Sequence, residues 1–185
     1  MQHKTLISFI ITILFFSCNN NSHRQEHTFA EINKPESAYP IKKGAEFSVK
    51  VAGITDGDTF KGLTGDKQEI KFCIYGIDAP ETRNGGAQPF CQKSKQALSD
   101  LIFGKTVRIK VQRKDGWGRA VVWVYTPDGK DVSAEMIRAG MAWHFKKYAD
   151  DAEYAELEKQ ARKQKIGLWA NNNPVAPWEW RGNKK

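Results

Sequence analysis

Three short runs hold the residue types that metal-assisted chemistry at a phosphate group needs. Asp56-Gly57-Asp58-Thr59 sets two carboxylates around a glycine, and Asp78-Ala79-Pro80-Glu81 sets two more around a stiff Ala-Pro step. Asp115-Gly116-Trp117-Gly118-Arg119 ends on a guanidinium at the head of an apolar segment. Hard divalent cations take several oxygen ligands from fixed positions, which carboxylates at strand ends supply together with main-chain carbonyls. Arginine suits phosphate because its planar fork donates paired hydrogen bonds and keeps its charge. Each run alone also has a plainer reading. Asp-Gly is what a tight turn wants, Asp before Ala-Pro starts an ordinary loop, and an arginine can snorkel at a rim.

The segments that must position these runs have strand periodicity. Phe47, Val49 and Val51 alternate with Ser48 and Lys50; Ile70, Phe72 and Ile74 alternate with Lys71, Cys73 and Tyr75; Val107, Ile109 and Val111 alternate with Arg108, Lys110 and Gln112. Such alternation gives one buried and one solvated face. Asp56-Gly57, Gly65-Asp66 and Asp128-Gly129 read as the turns between strands. A further strand, Arg119 to Tyr125, is apolar on both faces and is expected to be central. Ala97, Leu98, Leu101 and Ile102 mark a helix stopped by Gly104. Ser133 is the expected cap of a second helix ended by Gly140, and Asp150 or Asp151 of a third ended by Gly167. Short strands with one helix after the third and two at the end predict an α+β fold, an OB-like barrel with about three packed helices.

The 185-residue length fits one domain with a single core. A composition of 40% hydrophobic and 27% charged residues excludes both a membrane bundle and a disordered chain. With 29 Lys+Arg against 21 Asp+Glu the formal charge is +8, which favours polyanionic partners, though a basic protein without one has the same balance. Residues 1–18 read as an export signal: Lys4 precedes the apolar run Leu6 to Phe16, too short to span a bilayer. Ser17-Cys18 at its end looks like a lipobox, in which Cys18 would be lipidated and anchor the chain to a membrane. Phe15 stands where an aliphatic residue is usual, and a plain signal with Cys18 incidental is the alternative. Either way an exported protein is expected, a cell-envelope lipoprotein or a secreted one. Residues 19–44 are polar and read as a linker, leaving 45–181 as the folded domain.

Taken in order, Asp-Gly-Asp-Thr, then Gly-Ile-Asp-Ala-Pro-Glu-Thr, then Asp-Gly-Trp-Gly-Arg, the chain resembles the staphylococcal nuclease family. Gln88-Pro89-Phe90, Gly140 to Trp143, Gly167 to Ala170 and the terminal Pro177-Trp178-Glu179-Trp180-Arg181 extend the resemblance over roughly residues 46–181. It implies an OB-fold barrel and a Ca²⁺-dependent phosphodiesterase acting on DNA and RNA. By the same resemblance Asp58, Asp78 and the Ala79 carbonyl bind the metal, Asp56 supports that site, Glu81 is the general base and Arg119 binds phosphate. Tyr148 and Trp143 are candidates for stacking on bases. A monomer is expected.

One position departs from the family. Its other active-site arginine lies five residues before the aspartate matching Asp78, and Cys73 stands there. A thiol cannot replace a forked permanent cation, and Arg83 is the nearby residue that would have to reach the phosphate instead. The alternative function is therefore a non-catalytic nucleic-acid-binding barrel. With Cys18 in the signal, Cys73 and Cys91 are an even pair in an exported chain. A disulfide between them would close a loop around Glu81; two free thiols are the other outcome.

Overall fold

The alternating segments do form strands, and their inward residues share one core. The structure, a computed structural model, describes residues 41–83 and 86–182. The expected signal with Cys18, and the linker up to residue 40, lie outside the described residues, as does the side chain of Arg83. In chain order the elements are β1 (Glu46–Ile54), β2 (Thr59–Leu63), β3 (Glu69–Ile74), β4 (Ile77–Asp78), β5 (Thr82–Arg83) and β6 (Gly86–Ala87). There follow α1 (Cys91–Ile102), β7 (Thr106–Lys114), β8 (Ala120–Tyr125), α2 (Val132–Arg138), β9 (Trp143–His144) and α3 (Ala152–Lys163). A 3₁₀ turn over Gly167–Ala170 and α4 (Pro177–Gly182) complete it.

Five strands close a barrel in the order β1-β2-β3-β8-β7, with β7 returning to β1. Within this barrel β3 and β8 pair in parallel and the other neighbours antiparallel. Closure removes the open edges that a small sheet would otherwise expose. Val49, Val51, Phe60, Phe72, Ile74, Val107, Ile109 and Val111 are buried inside it. Phe60 and Phe72 face each other in the β2–β3 register and stack with centroids 5.2 Å apart. Taking each ring fully out of water contributes about 1.5–3 kcal/mol before conformational entropy is counted. Bulges interrupt β1 between Val51 and Gly53 and β7 between Val111 and Arg113, bending the wall that carries Arg113. Contacts with the barrel begin before Ala45: the Gly44 amide donates to the Val111 carbonyl at 2.7 Å, and Ile41 packs on the core.

The OB-like barrel with packed helices is thus the fold, with local corrections. Asp131, not Ser133, caps α2: its carboxylate accepts from the Ser133 amide at 2.8 Å and the Ala134 amide at 3.4 Å. Ser133 lies inside the helix and its hydroxyl donates instead to the Tyr75 carbonyl, at 2.8 Å, tying α2 to the barrel. Asp151 caps α3 as expected. The helix α4 was not among the three anticipated; Pro177, whose fixed φ suits a first helical position, begins it.

The ends of α2 and α3 lock through two glycines with positive φ. Gly140 lies at φ 64° and Gly167 at φ 58°, and the Leu168 amide donates to the Gly140 carbonyl at 2.8 Å. A methyl group at Gly140 would sit 2.3 Å from the Ile166 carbonyl oxygen, so only glycine permits this approach.

The second oxygen of Asp131 accepts from the buried Tyr154 hydroxyl at 2.6 Å, so one carboxylate caps α2 and holds α3 against it. Tyr154→Phe should lower stability by about 1–3 kcal/mol, and Asp131→Ala by about 1 kcal/mol more because the cap is lost too. Urea unfolding curves measure both. Equal midpoints for Tyr154→Phe and the parent would show that this bond does not join the helices.

Candidate active site

Both acidic runs arrive at one rim of the barrel because Gly57 carries no side chain. A Cβ there would lie 1.8 Å from Ser94 Oγ of α1 and 2.8 Å from the Ala79 Cβ. The turn that carries Asp56 and Asp58 can therefore press against the loop that carries Ala79. The contact is sealed by Asp58, whose Oδ2 accepts from the Ala79 amide at 2.9 Å while Oδ1 accepts from the Thr59 hydroxyl at 2.8 Å. The Asp58 amide in turn points to Asp56 Oδ1 at 3.4 Å. Asp78, on β4 opposite Trp143 of β9, is 4% exposed.

Glu81 is set by Gln88. The Glu81 amide donates to Gln88 Oε1 at 3.2 Å, and the Gln88 amide returns a bond to the Glu81 carbonyl at 2.9 Å. These carboxylates crowd one another out of water. Burial, then the charges of Asp56 and Asp78, push the Asp58 carboxyl well above its usual range. Burial pushes Asp78 up as well, against the pull of Arg181 and with Glu81 and Asp56 adding to the rise.

Arg119 is aimed by its own turn. Asp115 Oδ1 accepts from the amides of Trp117 (2.9 Å) and Arg119 (2.8 Å), while Oδ2 accepts from Arg119 Nε at 2.6 Å. Burial pushes Asp115 up, but these bonds outweigh it and hold the carboxyl below its usual range. Trp117 is 82% exposed beside the Arg119 guanidinium, 5.3 Å from it. Asp56, Asp58, Asp78, Glu81 and Arg119 all line one cleft of about 1100 Å³.

A residue that spacing could not bring in completes the site. Arg181 of α4 binds Asp78 through Nη2 to Oδ2 (2.6 Å) and Nη1 to Oδ1 (3.2 Å), and Glu81 Oε1 through Nη1 (2.5 Å). Its partners lie about a hundred residues earlier in the chain. Only the terminal Pro-Trp-Glu-Trp-Arg run signalled it. Gln88 links tail and site, since its Nε2 donates to the Val175 carbonyl at 2.7 Å.

Of the two stacking candidates, Tyr148 is half exposed on the cleft, with the Arg113 guanidinium 5.2 Å from its ring. Trp143 is corrected. It is 3% exposed and packs edge-on against Trp169 at 5.1 Å in a second apolar cluster with Leu168 and Ala161. An aromatic so enclosed has no face to offer a base. The Cys73–Cys91 bond is not formed, and both thiols are free. Cys73 sits on the barrel wall with its sulfur 3.6 Å from the Thr59 hydroxyl, while Cys91 is buried at the start of α1. Burial, then the charge of Asp58, pushes the Cys73 thiol up to about 11.

The arrangement joins hard oxygen donors, a carboxylate oriented beside them and the guanidinium groups of Arg119 and Arg181 in one cleft, a chemistry suited to a cation and a phosphate. A family model described as "Staphylococcal nuclease homologue" matches residues 71–171. A Haemophilus influenzae protein named "Uncharacterized endonuclease" is 41% identical over 136 residues, 74% of this chain and 74% of that protein. A Shigella flexneri protein named "Micrococcal nuclease" is 36% identical over 151 residues, 76% of this chain and 84% of that one.

The Gly57 contact should be measurable without any substrate. Gly57→Ala is expected to destabilise the protein by about 1–3 kcal/mol, the usual range for an overpacked site, and to speed hydrogen exchange at the Ala79 amide. Adding Ser94→Gly, which removes the nearest atoms, should restore part of the loss. Unchanged exchange at Ala79 in Gly57→Ala would mean that the glycine does not hold the two acidic runs together.

Proposed function

The chain belongs to the staphylococcal nuclease family, and from that premise we propose that it is an endonuclease that hydrolyses phosphodiester bonds of DNA and RNA with Ca²⁺. The observation that carries this reading is the convergence of Asp58, Asp78, Glu81 and Arg119 on one cleft.

The donor set fits such an ion. Among the described residues no three His, Cys, Asp or Glu side chains gather into a ready-made metal cage. The expected set needs only two acidic side chains, Asp58 and Asp78, with the Ala79 carbonyl and solvent. Carboxyls pushed upward by burial and by one another are groups that a divalent cation would relieve. Asp56 supports the site through the Asp58 amide. The chemistry a bound Ca²⁺ supplies is neutralisation of charge on the scissile phosphate.

The rest falls to the chain. Glu81, held by Gln88 and the Pro80 step, takes the proton of the attacking water, a contribution of about 10²–10⁴ in rate. Arg119, already oriented by Asp115, meets the negative charge that grows on the phosphate oxygens in the transition state. Tyr148 offers a ring to a base of any kind, which agrees with action on both DNA and RNA. The net charge of +8 draws the polyanion in. A binding-only barrel has no use for a general base, and the pinned Glu81 favours hydrolysis over that alternative.

Digestion of single- and double-stranded DNA and of RNA, with Ca²⁺, with Mg²⁺ and with chelator, tests the activity directly. Glu81→Gln should lower kcat by about two to four decades and leave DNA binding intact. Asp58→Asn should instead weaken Ca²⁺ affinity, with activity partly recovered at higher Ca²⁺. A Glu81→Gln variant as active as the parent removes Glu81 from the mechanism. An unaltered Ca²⁺ titration in Asp58→Asn removes Asp58 from the metal site.

A further inference from the structure

We propose that Arg181, brought by the C-terminal helix, contacts the substrate: it holds a phosphate of the nucleic acid with the edge of its guanidinium that the protein leaves open. The proposal rests on the nuclease reading above and adds a residue to it.

The open edge follows from the donor inventory. Nη1 spends both hydrogens, one on Asp78 Oδ1 and one on Glu81 Oε1, and Nη2 spends one on Asp78 Oδ2. Nε–H and the second Nη2–H make no hydrogen bond among the described residues. Those two donors lie side by side on one edge of the planar group, spaced for two oxygens of a single phosphate. The Arg181 side chain is 30% exposed, and it lines the same cleft as Asp58 and Arg119. A guanidinium serving only as a buried tie would need partners for all its donors, because unmet ones are costly away from water. Here the unspent pair belongs to a group that faces the cleft.

Position and charge agree with this. The tail is fastened before any ligand arrives: Ala176 and Pro177 are buried, Gln88 holds the Val175 carbonyl, and Trp178 stacks on Phe145 at 5.3 Å with planes 3° apart. The guanidinium is therefore preorganised, the condition under which a donor is most effective toward developing charge. An approaching phosphate would otherwise meet the carboxylates of Asp78 and Glu81 without this guanidinium between. Arg181 bonds that pair through its Nη1 and Nη2 hydrogens and leaves the Nε–Nη2 edge for the anion. Cys73, the residue in the cleft where the resemblance places an arginine, offers no such donor.

The full chain with Arg181→Gln and with Arg181→Lys provides the test. A fluorescently labelled single-stranded oligonucleotide is titrated in chelator across a KCl series, and cleavage is then measured with Ca²⁺. For Arg181→Gln the slope of log affinity against log salt should fall by about 0.7, one phosphate contact on a single strand. Its kcat/KM should fall by about 10²–10³, the loss typical of one donor at a developing oxyanion. Arg181→Lys should keep the slope but recover little of kcat/KM, because a point charge lacks the fork. An unchanged slope, or undetectable binding by the parent, overturns the proposal. So does a lowered urea midpoint with the slope intact, which would make Arg181 a structural tie only. A lysine variant equal to the parent in kcat/KM overturns the forked contact. A parent that cleaves nothing with Ca²⁺ rejects the nuclease reading instead, while the salt slope still reports the phosphate contact by itself.

Discussion

The site depends on electrostatic crowding at the barrel rim. Asp56, Asp58, Asp78 and Glu81 are drawn to one place where water is scarce, and burial alone raises the cost of ionising Asp58 and Asp78. Arg181 makes direct contact with the cluster, bound to Asp78 and Glu81. Arg119 is matched by its own Asp115. Carboxylates gathered in this way cost the fold stability, and in the proposed reading a cation and a phosphate complete them.

The scaffold serves that crowding. Barrel closure fixes β2 and β3, whose Phe60 and Phe72 stack in the core, and so fixes the turn before β2 and the loop after β3 that carry the acids. The missing side chain at Gly57 lets these two approach. Asp58 then locks them by accepting from the Ala79 amide. On the far side, the α2–α3 pair, joined through Asp131 and Tyr154 and through Gly140 and Gly167, backs β9, whose pairing with β4 holds Asp78. Each link converts packing in the core into placement of a charged group at the surface.

Much of this was legible in the sequence because the signals were local. Period-two alternation marked β1, β3 and β7 with their inward residues, and the acidic runs were visible as strand-end clusters. What was not legible depends on contacts between distant segments. Arg181 reaches Asp78 and Glu81 only after α4 folds back over the rim, and no spacing rule encodes that return. Trp143 was misread because an aromatic side chain is equally at home in a core and on a base, and Trp169 decides the matter from another element. Asp131 and Ser133 could both cap α2; the Tyr75 carbonyl claimed the serine, and Tyr154 took the aspartate's second oxygen. The two cysteines beyond Cys18 permit a bond by number alone, but Cys73 on the barrel wall and Cys91 at the helix start are both free thiols.

The central claim is that the rim is an anionic site completed by a divalent cation. Thermal unfolding of the full chain, with Ca²⁺ raised from chelator to saturation at constant ionic strength, tests it without relying on any substrate. A site of this kind predicts a Tm that climbs with Ca²⁺, by about 2.7 kcal/mol of stability at one hundred times the Kd, and that ordinary monovalent salt does not reproduce. A Tm that is the same in Ca²⁺ and in chelator, or that shifts no more than with matched KCl, would contradict it.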